Sequence, residues 1–215
     1  MTDASPPGGD PLEPFRREID RIDRSMLDLM AERLQLVDRI AEAKTQTAGL
    51  PIRPGREIAL LRSLIASAQA PLERELIVEV WRALIAAALR RQRVIDVVVG
   101  GGRTDPTRLY DIARRHFGAR TRVQNVPDPQ TALQRAAEKP DACVAVTPWP
   151  GAPGVGAWWP ALTESRFHKL HLIAGLPLLG SGEEPEAAVF AASPNEKAGG
   201  DISLVLAEDP HHRLQ

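Results

Sequence analysis

The chain has 215 residues, 43% of them hydrophobic, and a formal charge of −1 from 27 basic and 28 acidic side chains. That length suits one large or two small domains with a real core, and so even a balance leaves no global field to hold nucleic acid or anionic lipid. The single cysteine, Cys143, excludes an internal disulfide framework, and no run approaches the ~18 apolar residues of a membrane span.

Residues 1–12 are acidic and rich in Pro and Gly, and they read as a disordered leader. They lack the basic start and apolar run of a signal peptide, so a cytoplasmic protein is expected. A helix over about 13–46 follows, starting near Pro14 and free of Gly and Pro from there until Gly49. Its inward row reads Phe15, Ile19, Ile22, Met26, Leu29, Arg33, Val37, Ile40, Lys44, the three-and-four spacing of one helix side. A helix that long cannot bury its stripe against two short companions from its own chain, which argues for a partner subunit. A second helix is expected over about 55–68, after Pro54-Gly55, and a third over about 72–92. Leu76, Ile77, Val80, Trp81, Leu84, Ile85, Ala88 and Gln92 mark one side of the third.

Near residue 94 the period changes. Val94–Val99 is a β-rich run ending in three glycines, and Asp105-Pro106 can cap a helix over about 106–117. A strand (Thr121–Val126), a helix (about 128–138) and a strand (Ala142–Thr147) continue the alternation of an α/β layer with parallel strands. Further strand-like runs lie near 169–179, 186–192 and 202–207. The organisation expected is multi-domain: leader 1–12, helical domain 13–93, α/β domain 94–215.

Arg33 and Lys44 occupy slots in the apolar row where hydrophobic residues belong. They are eleven residues apart and point the same way, with roughly 16 Å of axial rise between them. Two such side chains suit a clamp for a small polyanion, although each alone could equally bury its stem and send its charge to water. Arg16 lies about 100° away around the helix from Arg33 and serves the same site more easily from a partner subunit. Arg56 and Glu57 open the second helix and Gln92 closes the third; simple helix-end chemistry is the alternative for all three.

The texts FRREIDRIDRSMLDLMAERLQLVDRIAEAK, IRPGREIALLRSL and VWRALIAAALRRQ, within about residues 12–93, resemble the all-helical (type II) chorismate mutases. The resemblance implies a three-helix fold in an intertwined homodimer and conversion of chorismate to prephenate, a step of the shikimate pathway toward Phe and Tyr. It implies that Arg16 of the partner subunit, Arg33 and Arg56 hold the two carboxylates of the substrate. Lys44 and Gln92 would bond its ether oxygen, and Glu57 its ring hydroxyl. No metal or cofactor is implied. A pericyclic rearrangement needs no nucleophile, only groups aimed where charge develops. Two positions depart from the pattern: Ala88 stands where the family often has serine, and the loop reads Ile52-Arg53-Pro54-Gly55 where an acidic residue is frequent. Isochorismate–pyruvate lyase chemistry on the same scaffold, and a non-catalytic ligand-binding or partner-regulating module, are the competing readings.

The second half loosely resembles one lobe of prephenate dehydratase catalytic domains, which have a periplasmic-binding-protein-like fold. The likeness rests on VIDVVVGGGRTDPTRLYDIARRHFG, on TRVQNVPDPQTALQRAAEKPDACVAVTPWPG and on LIAGLPLL. The Thr-Arg-Phe triplet of that family is not found in its place, and Ser165-Arg166-Phe167 comes early without the threonine. A reduced regulatory or structural domain without dehydratase activity is therefore expected. Gly100-Gly101-Gly102 lacks the Lys and spacing of a P-loop and reads as a strand-to-helix turn. His168, His171, His211 and His212 have no ligand partners at recognisable spacing, and Cys143 reads as a packed thiol.

Overall fold

The computed structural model describes residues 10–43, 49–101, 106–151, 157–179 and 184–194. The chain divides into two compact units, residues 1–46 and 47–215.

In the first unit, the end of the expected leader turns the chain into α1 (Glu13–Ala43). The Asp10 carboxylate accepts from the Leu12 N–H at 3.0 Å, and its carbonyl accepts from the Glu13 N–H at 3.0 Å. With 31 residues, α1 is about 46 Å long at 1.5 Å per residue. It buries none of them. Phe15, Ile19, Ile22, Met26, Leu29 and Ile40 form the expected apolar row and are between 43% and 69% exposed. The final turn expected over 44–46 lies outside the described residues, as do residues 1–9 of the leader.

The second unit begins with α2 (Pro54–Ser67) and α3 (Arg74–Gln92), followed by β1 (Asp96–Gly100), α4 (Pro106–Phe117), β2 (Arg122–Val126) and α5 (Pro129–Glu138). Next come β3 (Cys143–Pro148), two short 3-10 turns (Trp159–Thr163 and Ser165–Phe167), β4 (His171–Leu176) and β5 (Ala187–Ala191). The run expected near 202–207 lies outside the described residues.

One five-stranded sheet organises this unit, in the order β2-β1-β3-β5-β4. The pairs β1–β2 and β1–β3 are parallel, as the strand–helix alternation requires. β5 runs antiparallel to both β3 and β4, so the sheet is mixed. Val97, Val99, Val144 and Val146 face the side covered by α3 and α4, against Ile85, Leu89, Leu109 and Phe117. Val98, Cys143 and Ala145 face the opposite side, with Ala132 and Leu133 of α5, Trp158, Phe167 and Phe190. Burial on both faces explains why these strands read as continuous apolar runs without alternation.

Local chemistry sets the turns. Gly100 ends β1 where a Cβ would stand 2.4 Å from the Asp128 carbonyl oxygen, so only glycine fits that close approach. Asp128 caps α5, its carboxylate accepting from the Thr131 N–H at 2.8 Å and the Thr131 hydroxyl at 2.9 Å, with Pro129 in the first turn. Gly118, at φ +90°, stops α4 in the left-handed conformation that closes many helices.

The buried side of α3 is broader than the row read from sequence. Ile77, Ile85 and Ala88 are buried, but so are Arg82, Ala86 and Leu89, while Leu76 is 49% exposed. Residues 82, 85, 86 and 89 share one helix side, and the Arg82 guanidinium reaches the α4 backbone from it.

Candidate functional site

The residues singled out in the sequence fall in both units. On α1, Arg33 is half-buried and Arg16 is exposed, ion-paired with Asp10 at the start of the helix. Lys44 lies outside the described residues.

In the second unit, Pro54 and Gly55 open α2 and are both buried, which draws the first turn inward. Arg56 points outward and is exposed, whereas Glu57, one residue on, is buried. An acidic side chain in the first turn of a helix meets the positive end of the helix dipole. Glu57 has a stronger partner as well. Arg82 Nη1 donates to Glu57 Oε2 at 2.5 Å, the two side chains being only 8% and 9% exposed. The rest of the guanidinium is held by α4: Nη2 donates to the His116 carbonyl at 2.8 Å, and Nε donates to the same oxygen at 3.3 Å. Arg82 Nη2 also lies 3.4 Å from His116 Nε2. Burial, and then the Arg82 charge, push His116 well below its ordinary pKa, so the imidazole is neutral at pH 7. Its ring meets Phe117 edge-on at 4.6 Å.

Gln92 ends α3 half-buried, its amide Nε2 donating to the Ala88 carbonyl at 3.3 Å; Ala88 itself is buried. Among the described residues, neither Arg56 nor Gln92 hydrogen-bonds to Glu57. Sequence reading passed over Arg82 and His116. The clue to Arg82 was its spacing, three, four and seven residues before Ile85, Ala86 and Leu89. A cavity of about 790 Å³ opens beside this cluster, with Leu61, Arg82, Asp111, Arg115, His116 and Leu178 on its wall. Arg56, Glu57 and Gln92 do not line it.

Of the other features singled out in the second half, Gly102, His211 and His212 lie outside the described residues, and Phe167, Arg166 and Cys143 serve packing. Phe167 is buried in the core, and Arg166 pairs with Glu164 at 2.7 Å and lies over the Phe167 ring. Trp158 packs edge-on against Phe190 at 5.7 Å. Desolvation, foremost, raises the Cys143 thiol to about 11, which leaves it protonated and unreactive at neutral pH. No helix among the described residues is long and apolar enough to cross a membrane.

The three helices carrying Arg16, Arg33, Arg56, Glu57 and Gln92 lie within one recognisable stretch. Residues 15–93 match the family model for chorismate mutase type II. A bifunctional chorismate mutase/prephenate dehydratase of Pseudomonas aeruginosa is 30% identical over 114 residues, which is 51% of this chain and 31% of that protein. The corresponding protein of Aquifex aeolicus is 33% identical over 112 residues, 50% of this chain and 30% of its own length. A T-protein of Haemophilus influenzae is 42% identical over 73 residues, 33% of this chain and 19% of its own length. The chain thus spans less than a third of the length of these relatives. No solved structure matches it.

Proposed function

We propose that the chain is a chorismate mutase, an isomerase that rearranges chorismate to prephenate in aromatic amino acid biosynthesis. The observation that carries this reading is the match of residues 15–93 to the chorismate mutase type II model; the resemblance in sequence supports Arg16, Arg33, Lys44, Arg56, Glu57 and Gln92 as its site residues. Arginine forks from Arg33, Arg56 and the partner subunit's Arg16 grip the two substrate carboxylates. That grip holds the enolpyruvyl chain over the ring in its compact, reactive shape. As the C–O bond stretches and the C–C bond forms, negative charge grows on the ether oxygen. On this reading the Lys44 ammonium and the Gln92 amide donate to that oxygen, and they favour the transition state over the ground state. Glu57 accepts from the ring hydroxyl. No group transfers a proton.

The working molecule is a homodimer. The support is α1: six large apolar side chains lie along one row of a helix that buries none of its residues. An amphipathic helix draws its stability from packing such a face, and a second copy supplies the same face in self-complementary form. The boundaries proposed are a helical domain over 13–93 and an α/β domain over 94–215. The α/β domain is read as one reduced lobe of periplasmic-binding-protein type, with a regulatory or structural role and no dehydratase activity. Among the described residues its one sheet, covered on both faces, supports that reading.

The test is to incubate the purified protein separately with chorismate and with isochorismate and to identify the products. Prephenate from chorismate alone is expected. Salicylate and pyruvate from isochorismate would instead indicate the lyase. Neither product would leave a non-catalytic binding module, the reading that Ala88 favours by removing a hydroxyl from the clamp.

A further inference from the structure

Glu57 does not stand alone in the second unit. Its Oε2 accepts from Arg82 Nη1 at 2.5 Å, and the other side of the same guanidinium donates twice to the His116 backbone carbonyl, at 2.8 and 3.3 Å. Three elements therefore meet at one planar group: the first turn of α2, the middle of α3 and the end of α4. A guanidinium is rigid and its donors leave in fixed directions. Held by the His116 carbonyl on one edge, it can present its remaining edge in only one direction. Glu57 is a flexible side chain that would otherwise sample several rotamers. With one carboxylate oxygen engaged, the direction of the second oxygen is set, and a carboxylate oxygen retains lone pairs to accept a substrate hydroxyl. The pairing is buried, so solvent does not compete for it.

We infer that Arg82 is a positioning residue for the mutase site: anchored on the His116 carbonyl of α4, it orients the Glu57 carboxylate toward the ring hydroxyl of the substrate. This rests on the mutase reading above. It makes the α/β region part of the machinery, because the anchor on which Arg82 rests is the backbone of α4. Lysine is a poor replacement, since a single ammonium cannot hold Glu57 and the His116 carbonyl in one fixed plane.

The experiment is steady-state chorismate kinetics on the full chain and on Arg82→Gln, Arg82→Lys, Glu57→Gln and the double variant Glu57→Gln/Arg82→Gln, with thermal melts as the control for folding. Arg82→Gln is expected to lower kcat about tenfold with KM changed less than twofold, because the lost orientation matters most in the transition state. Arg82→Lys should fall between Arg82→Gln and the parent. In the Glu57→Gln background, Arg82→Gln should cost nothing further, since Arg82 acts through Glu57. The double variant buries no unpaired charge, so it reports even if Arg82→Gln alone does not fold. Losses that multiply in the double variant, or an Arg82→Gln protein with parental kcat, would overturn the role of Arg82 while leaving the mutase reading intact. A parent chain with no turnover of chorismate overturns both at once, and that outcome is visible before any variant is measured.

Discussion

Arg82 on α3 donates to the Glu57 carboxylate at 2.5 Å in a pair whose two side chains are less than a tenth exposed. Buried pairs of this kind are asymmetric in energy: the intact pair adds little over an apolar replacement, but removing one member strands the other charge. Arg82→Ala or Glu57→Ala should therefore destabilise the second unit by about 3–5 kcal/mol, and the double variant Glu57→Ala/Arg82→Ala by clearly less than the sum. Urea midpoints of the three proteins check this.

His116 gives the fold an acid limit. Burial first, and the Arg82 charge second, hold its pKa well below the ordinary 6.5. The folded state therefore binds fewer protons than the unfolded chain, whose His116 titrates normally. The stabilising contribution is complete above pH 6.5 and is lost as pH falls from there toward the depressed folded value, by about 1.4 kcal/mol per pH unit. Replacement by a neutral residue, His116→Gln, should flatten that decline. Stability measured from pH 8 down to pH 5 for parent and variant is the comparison, and parallel curves would contradict it.

Much of the second unit is legible in the sequence because strand and helix signals there are strong and local. Pro106 and Gly118 bracket α4, and Asp128-Pro129 announces α5, each through turn chemistry that needs no distant partner. β1 starts at Asp96, later than the valine run suggests, because the chain is still leaving α3 at Val94, which is 62% exposed. The antiparallel direction of β5 is not legible, since a short, fully buried run such as Ala187–Ala191 carries no information about its polarity. The site divides in the same way. Glu57 is visible as a first-turn acid, but its partner Arg82 lies 25 positions away in the chain and the His116 carbonyl that anchors Arg82 lies 34 beyond that, and no local pattern joins them. Arg82 was detectable only as a charge in line with Ile85, Ala86 and Leu89.

The exposed row of α1 predicts the assembly. The full chain should sediment as a dimer, and Ile22→Glu together with Met26→Glu should give a monomer whose α/β sheet is still folded. Sedimentation and circular dichroism check both statements. Within the dimer, an Arg16→Ala protomer mixed with an Arg33→Ala protomer should regain activity, because one site per heterodimer keeps both arginines. Failure of that complementation in dimers shown to exchange would contradict a site shared between subunits.

On the proposed reading Lys44 and Gln92 donate to the ether oxygen where charge develops, so their loss should appear in kcat more than in KM. Each alanine substitution is expected to lower kcat by about 10²–10³ with little change in melting temperature, the scale seen when one preorganised donor to a developing oxyanion is removed. Arg33→Ala, by contrast, should raise KM strongly if Arg33 grips a carboxylate in both ground and transition states, as proposed.

The most direct measurement is the initial rate at which the purified chain consumes chorismate, followed with quantification of prephenate. The account predicts disappearance far above the spontaneous rate, with one prephenate formed for each chorismate lost. Loss of chorismate at the spontaneous rate, from folded protein, would contradict it.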